Sequence, residues 1–276
     1  MVILNELSEY ISLRMKSYFE PSHEGNWIEH KAHIDYDLWF IQSGIVNITI
    51  DGVIHTANPG DVIFLYPGVP YRASTSDMGC RFIYIHFDFE IGKQQRILND
   101  FPLSGVISKD MIQEEFIRLG NAFYQLKLLT SLPGNRLYLK SCLMAVIAKI
   151  IELYGQGQYI GQFLNEKKFR KPTTNLDVLK PVFNYINDNL QKSIKMNELA
   201  ALVGISEKYF ISYFKKALGI TPGQYIYQIK MNRAREYLYS KKYTVQEISN
   251  LLGYPDPFTF SKAFKKYYNV PPSKFE

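Results

Sequence analysis

With 276 residues the chain has room for about two domains. Its 46% hydrophobic and 21% charged residues exclude a disordered chain, and no apolar run reaches the roughly 18 residues of a membrane span. The net charge of +6 is unevenly held: residues 176–276 carry 15 Lys and Arg against 8 Asp and Glu, and the remainder 17 against 18.

The first ten residues carry Glu6 and Glu9 and lack a basic flank to an apolar core, so no signal peptide is expected. From about Asp35 to Phe89 the texture is β. Asp37–Gln42 and Ile45–Ile50, rich in branched and aromatic residues, predict two strands separated by Ser43-Gly44. Asp51-Gly52 then closes a hairpin onto Val53–Ala57. Asn58-Pro-Gly-Asp61 is a turn, and Val62–Tyr66 a strand ended by Pro67-Gly-Val-Pro70. Arg81–Phe89 predicts a strand with a split face: Phe82, Tyr84, His86 and Asp88 on one side, Ile83, Ile85, Phe87 and Phe89 on the other. Strands at this spacing predict a sandwich or small barrel. Cys80 and Cys142 make no disulfide framework or ligand spacing and read as reduced thiols of a cytoplasmic protein.

Helical texture begins near Lys109, where Ile112, Phe116, Leu119, Phe123 and Leu126 fall at helix spacing. A second helix is expected over about Arg136–Tyr154. Its Leu139, Leu143, Val146, Ile150 and Leu153 alternate by four and three, the seam of paired helices. Two partners suit that seam: a second copy of the chain, or the β domain of the same chain. Gly155–Gln158 and the charged Asn165–Thr174 predict an exposed linker.

From Asn175 onward one helical block occurs twice, at an offset of 50 residues. Phe210, Phe214, Lys215, Lys216 and Pro222 meet Phe260, Phe264, Lys265, Lys266 and Pro272, and the helix-stop Gly219 meets Asn269. Ala200, Gly204 and Phe210 are spaced as a helix-turn-helix requires: a small residue at the contact, a glycine for the left-handed turn, a large apolar residue to seat the second helix. The second unit repeats this with the capping box Thr244–Glu247, Gly253 and Asp256-Pro257, its turn one residue longer. The joining helix from Thr221-Pro222 to about Ser240 is roughly 30 Å long, close to the spacing of about 34 Å between successive major-groove faces. Two recognition helices could then read one side of a duplex about ten base pairs apart.

The faces of those helices fit that reading. With Tyr209, Phe210, Tyr213, Phe214, Ala217 and Leu218 directed inward, Lys208, Ile211, Ser212 and Lys215 are left outside. In the last helix Phe260, Ala263, Phe264 and Tyr267 go in, leaving Phe258, Ser261, Lys262 and Lys265 out. Lysine can donate to guanine, serine can serve either partner type, and Ile or Phe can contact a thymine methyl. Lys215, Lys216, Arg233, Lys241, Lys242, Lys265 and Lys266 are the phosphate candidates. Double-stranded DNA is therefore the expected partner of the basic third, with a solubilising lysine surface as the bland alternative.

Val203-Gly-Ile-Ser206, Tyr209-Phe210, Phe214-Lys-Lys216, Ile248–Tyr254, Phe260–Lys266 and Val270-Pro-Pro272 resemble the DNA-binding domain of the AraC/XylS family of transcription regulators. The resemblance puts base-reading positions at Lys208, Ile211 and Ser212, and near Pro257, Phe258, Ser261 and Lys262. Here Pro257-Phe258 stand where family members often carry polar side chains, and neither set contains an arginine. Asn58–Asp61, Pro67–Tyr71 and Tyr84–Phe87 resemble the cupin-like sensor domain common in the family.

The resemblance implies an α+β chain. It would hold a cupin-like β-barrel over 1–108, a helical dimerisation segment over 109–154, a linker over 155–174 and an all-α double helix-turn-helix domain over 175–276. It implies a homodimer activating carbohydrate or other small-molecule genes, with RNA polymerase as a further partner and no membrane association. An effector such as a sugar would meet Trp39, Gln42, Tyr71, Arg72, Tyr84 and His86, which combine aromatic faces with polar groups; the alternative is a cupin-like domain that only dimerises. An enzyme is not expected. The residue after Pro-Gly-Val-Pro70 is Tyr71 rather than His, and no His-x-His plus Glu follows His30 and His33, so no cofactor or metal ligand set is read.

Overall fold

The structure is a computed structural model and describes residues 4, 7–91, 94–129, 132–159, 163 and 176–275. Contacts divide the chain into two units: Ile11–Ile91 with Gln95–Thr174, and Asn175–Glu276 with Val2–Tyr10 and Gly92–Gln94. Most of the expected linker, residues 160–162 and 164–174, lies outside the described residues. Among the described residues no helix is long and apolar enough to cross a membrane.

The first unit is built on an antiparallel sheet. Its strands are β1 (Ile11–Phe19), β2 (Ser22–His23), β3 (Ile28–Lys31), β4 (Tyr36–Ile50), β5 (Val53–Ala57), β6 (Val62–Leu65), β7 (Tyr71–Ile91), β8 (Gln94–Gln95) and β9 (Gly105–Ile107). The path runs β1-β7-β4-β6-β9, with β2, β3 and β8 added to β7 and β5 to β4. The Asp51-Gly52 hairpin forms as expected, both residues at positive φ (53° and 80°) and Ile50 paired with Val53.

Two strand expectations need correction. Ser43-Gly44 does not separate two strands: β4 runs through it, and register shifts at Ile41/Ser43 and Gly44/Val46 absorb the irregularity. Gly44 is at φ +74°, and a Cβ there would lie 2.1 Å from the Gly79 carbonyl oxygen, so only glycine lets β7 pass this close. β7 itself spans 21 residues and begins at Tyr71, ten residues before the predicted Arg81, because β3 and β4 pair with its first part. Its split face is as read: Ile83, Ile85, Phe87 and Phe89 are buried, while Tyr84, His86 and Asp88 on the opposite face are half-buried.

Two helices complete the unit, α1 (Lys109–Leu128) and α2 (Asn135–Gly155). Asp61 ties α1 to the sheet. One carboxylate oxygen accepts from the Asn58 N–H at 2.8 Å within its own turn, the other from the Lys109 N–H at 2.9 Å. The α2 stripe settles between its two possible partners. Leu139, Leu143, Val146, Ile150 and Leu153 are at most 4% exposed within one chain, in a helix packed against α1 and β1. Within one chain that stripe is already covered. A four-three alternation reports that a helix has a packed partner and says nothing of which chain supplies it.

The second unit begins with a 3-10 turn, Leu176–Leu179; α3 follows over Lys180–Asp188, with Pro181 in its first turn where the missing N–H costs no helical hydrogen bond. Then come α4 (Met196–Leu202), α5 (Glu207–Leu218), α6 (Pro222–Ser240), α7 (Val245–Leu251) and α8 (Pro257–Tyr268). The left-handed residues fall where the repeat places them: Gly204 and Gly253 at φ +67° and +64°, Gly219 and Asn269 at +79° and +62°. Phe210 and Phe214 pack with Phe183 and Tyr225 in the first core. Phe260 and Phe264 pack with Met231, Ala234, Ile248 and Leu252 in the second, all 0% exposed. One inward residue is misplaced: Tyr209 is 59% exposed. It stands one residue, about 100° of helix rotation, from Phe210 and off the buried stripe. Tyr10 packs on α6, its ring 6.0 Å from that of Tyr225 and its hydroxyl donating to the Gln228 Oε1.

Candidate nucleic-acid interface and effector cavity

Both candidate recognition helices start on side-chain caps, a long one at Ser206 and a short one at Asp256. Ser206 Oγ accepts from the Tyr209 N–H at 3.4 Å to open α5, and Asp256 accepts from the Thr259 N–H at 2.7 Å to open α8, with Pro257 in the first turn. The hydrogen bond from the Thr259 N–H, then that from its hydroxyl, holds the Asp256 carboxyl below its ordinary value. Lys208, Ser212, Phe258 and Lys262 are exposed; Ile211 and Ser261 are half-buried. The outward face so formed also holds Tyr209, which the sequence reading put in the core. Tyr209 lies at the edge of the stripe, one residue on the outer side of Phe210, and its ring sits beside that of Tyr213 at 6.2 Å.

Lys215 and Lys216 end α5, and Lys265 and Lys266 end α8. Lys241 caps α6 in the left-handed conformation (φ +53°) beside exposed Lys242. Arg233 is tied to Glu236 at 2.9 Å and is the weakest phosphate candidate of the set. Lys262→Ala should change discrimination at one base position by about 1–3 kcal/mol. Competition binding with single-base-pair variants of a bound site would check this, and a uniform loss across sequences would reassign Lys262 to a phosphate.

The β unit holds a cavity of about 280 Å³. Antiparallel register creates it, pairing Asp37 with His86 and Trp39 with Tyr84 across β4 and β7. Phe19, Trp39, Phe82 and Tyr84 supply aromatic walls; His23, Glu29, Lys31, His33, Asp37 and His86 supply polar groups. Trp39 and Phe82 stack at 4.5 Å and 12°. Asp37 is fully buried, and its Oδ2 accepts from Trp39 Nε1 at 2.6 Å. The same oxygen lies 3.2 Å from His86 Nε2 and 3.6 Å from His33 Nε2. Burial holds the His33 imidazole below its ordinary value despite Asp37. Burial acts the same way on His86, but the hydrogen bond and charge of Asp37 outweigh it and the net shift is upward. The two histidines diverge because the carboxylate is closer to His86.

Of the six effector candidates, Trp39, Tyr84 and His86 line this cavity. Tyr71 and Arg72 line a neighbouring open depression, although Tyr71 meets Trp39 edge-on at 5.5 Å. Burial, then the charges of Asp37 and Glu29, push the Tyr71 hydroxyl above its ordinary value. Gln42 lines neither: it is the residue in the Ile41/Ser43 bulge, and its amide donates to the Phe40 carbonyl at 3.3 Å. The sequence reading missed His33 and Asp37. An aspartate alternating with Trp39 on a buried strand was the available signal, since a carboxylate enters such a face only with partners.

The model of an AraC-like ligand binding domain matches residues 18–147, and that of a helix-turn-helix domain matches residues 199–276. The chain is similar to the Msm operon regulatory protein of Streptococcus mutans, 28% identical over 249 residues, 87% of this chain and 84% of that protein. It is also similar to the lactose operon transcription activator of Staphylococcus xylosus, 35% identical over 92 residues and 33% of each chain. A third relative is the raffinose operon transcriptional regulatory protein of Pediococcus pentosaceus, 30% identical over 92 residues and 33% of each chain.

Proposed function

The chain belongs to the AraC/XylS family of transcription regulators, and on that premise we propose that it activates genes for using a carbohydrate or another small molecule, under the control of an effector bound in the β-unit cavity. It is a DNA-binding transcriptional regulator with an N-terminal ligand-binding domain, and not an enzyme. In this reading it works in the cytoplasm as a homodimer that engages RNA polymerase at the promoter, and the effector shifts the population between DNA-competent and incompetent forms.

The observation that carries the proposal is the cavity, in which aromatic walls face a fully buried carboxylate and two imidazoles. Aromatic faces with a few fixed polar groups suit a sugar. Its volume of about 280 Å³ is at the small end for ligand sites, so a compact metabolite fits it better than an extended one. Two relatives are named for lactose and raffinose operons. A thermal-shift screen of sugars and small acids on the full chain tests this. A ligand at about 100 times its Kd adds about 2.7 kcal/mol, raising Tm by about 5–10 °C, and Tyr84→Ala should remove the shift. No shift from any compound, or a shift that Tyr84→Ala leaves intact, would sink the effector reading.

A further inference from the structure

We propose that His33, Asp37 and His86 form a binding site for a divalent transition-metal ion in the β-unit cavity. One ligand atom from each of these residues lies within 4.8 Å of the others. Two imidazoles and one carboxylate are a donor set suited to zinc, iron, manganese, cobalt or nickel. Ligand atoms about 2.0–2.2 Å from a metal lie roughly 3 Å or slightly more from one another. The separations from Asp37 Oδ2, 3.2 Å to His86 and 3.6 Å to His33, already approach that spacing.

A second observation points to a missing ligand. Asp37 is 0% exposed, yet its Oδ1 has no hydrogen-bond partner among the described residues. A fully buried carboxylate oxygen without a partner is costly, and a cation on this carboxylate would relieve that cost. The supports around the triad suit a metal too. Ser17 Oγ and His86 Nδ1 share a hydrogen bond of 3.1 Å, so the ring presents Nε2 to the cavity. Trp39 Nε1 fixes the carboxylate, and the His33 backbone carbonyl accepts from the Gly68 N–H at 2.7 Å, pinning the loop that brings this histidine in. Three protein ligands leave coordination positions for water or for an oxygen-bearing ligand. Only that last use, by an effector, rests on the function proposed above; the metal site itself does not.

Chelator-stripped full-length protein titrated with Zn²⁺ by calorimetry is the direct test, with Co²⁺ as a visible-absorption reporter of the same site. One ion per chain is expected. His33→Gln and His86→Gln should each weaken it at least about tenfold, and the double variant should abolish both the binding and the Co²⁺ bands, while His30→Gln and His55→Gln leave them unchanged. Circular dichroism establishes that each variant is folded. No saturable binding, or binding that survives in the folded double variant, would overturn the proposal. Either result leaves the sugar-dependent thermal shift and DNA binding free to be observed, so the two readings fail separately.

Discussion

Raising the salt from about 50 to about 200 mM should weaken duplex-DNA binding by the full-length protein about a thousand-fold. Lys215, Lys216, Lys241, Lys242, Lys265 and Lys266 are exposed, and none has an ion-pair partner among the described residues. Each phosphate neutralised adds about −0.9 to the slope of log affinity against log salt, so six contacts give about −5. A rival account exists for four of these lysines. Lys215, Lys216, Lys265 and Lys266 occupy the last turns of α5 and α8, where any cation balances the negative helix end. If that were their whole role, the slope would be shallow. Gel-shift titrations across salt distinguish the two, and Lys266→Ala should lower the slope by about 1. A wild-type slope smaller in magnitude than about 2 would refute the phosphate assignment.

Gly253→Ala should destabilise the helical unit far more than Gly204→Ala, although the two glycines hold the same place in the repeat. Both are in the left-handed region, which costs an alanine about 1–2 kcal/mol. At Gly204 a Cβ meets nothing within 4 Å, so that strain is the whole cost. At Gly253 it would lie 2.7 Å from the Gln191 carbonyl carbon and oxygen and 2.8 Å from the Lys192 nitrogen, all backbone atoms that cannot rotate away. Moving that backbone disturbs a buried cation. Lys230, 8% exposed, donates to the Lys192 carbonyl at 3.1 Å and sits 5.5 Å over the Tyr254 ring. Burial already lowers the Lys230 pKa, so this ammonium depends on its acceptor. Losing a charged hydrogen bond costs about 1.5–3 kcal/mol, and with the backbone strain Gly253→Ala should total about 3 kcal/mol or more. Urea unfolding of the two variants checks the contrast. Equal destabilisation would mean that the chain around Gln191 yields freely.

What the sequence alone determined is the helical third. Its signals are local: the caps at Ser206, Thr244 and Asp256, the turn glycines, and the Phe210/Phe214 and Phe260/Phe264 spacing all act within a few residues. Lys208, Ser212, Phe258 and Lys262 could be placed outside by helical period alone. The Asp51-Gly52 hairpin was legible for the same reason. Only the tertiary structure decided the rest. β4 runs through Ser43-Gly44 because β7 is there to pair with it across two bulges. The α2 stripe packs within its own chain because α1 fills it, and periodicity does not carry the identity of a partner. The cluster of His33, Asp37 and His86 depends on the register that sets Asp37 opposite His86, residues far apart in the chain. A strand's own residues fix which side chains share its face, but the partner opposite each of them is set only when the sheet assembles.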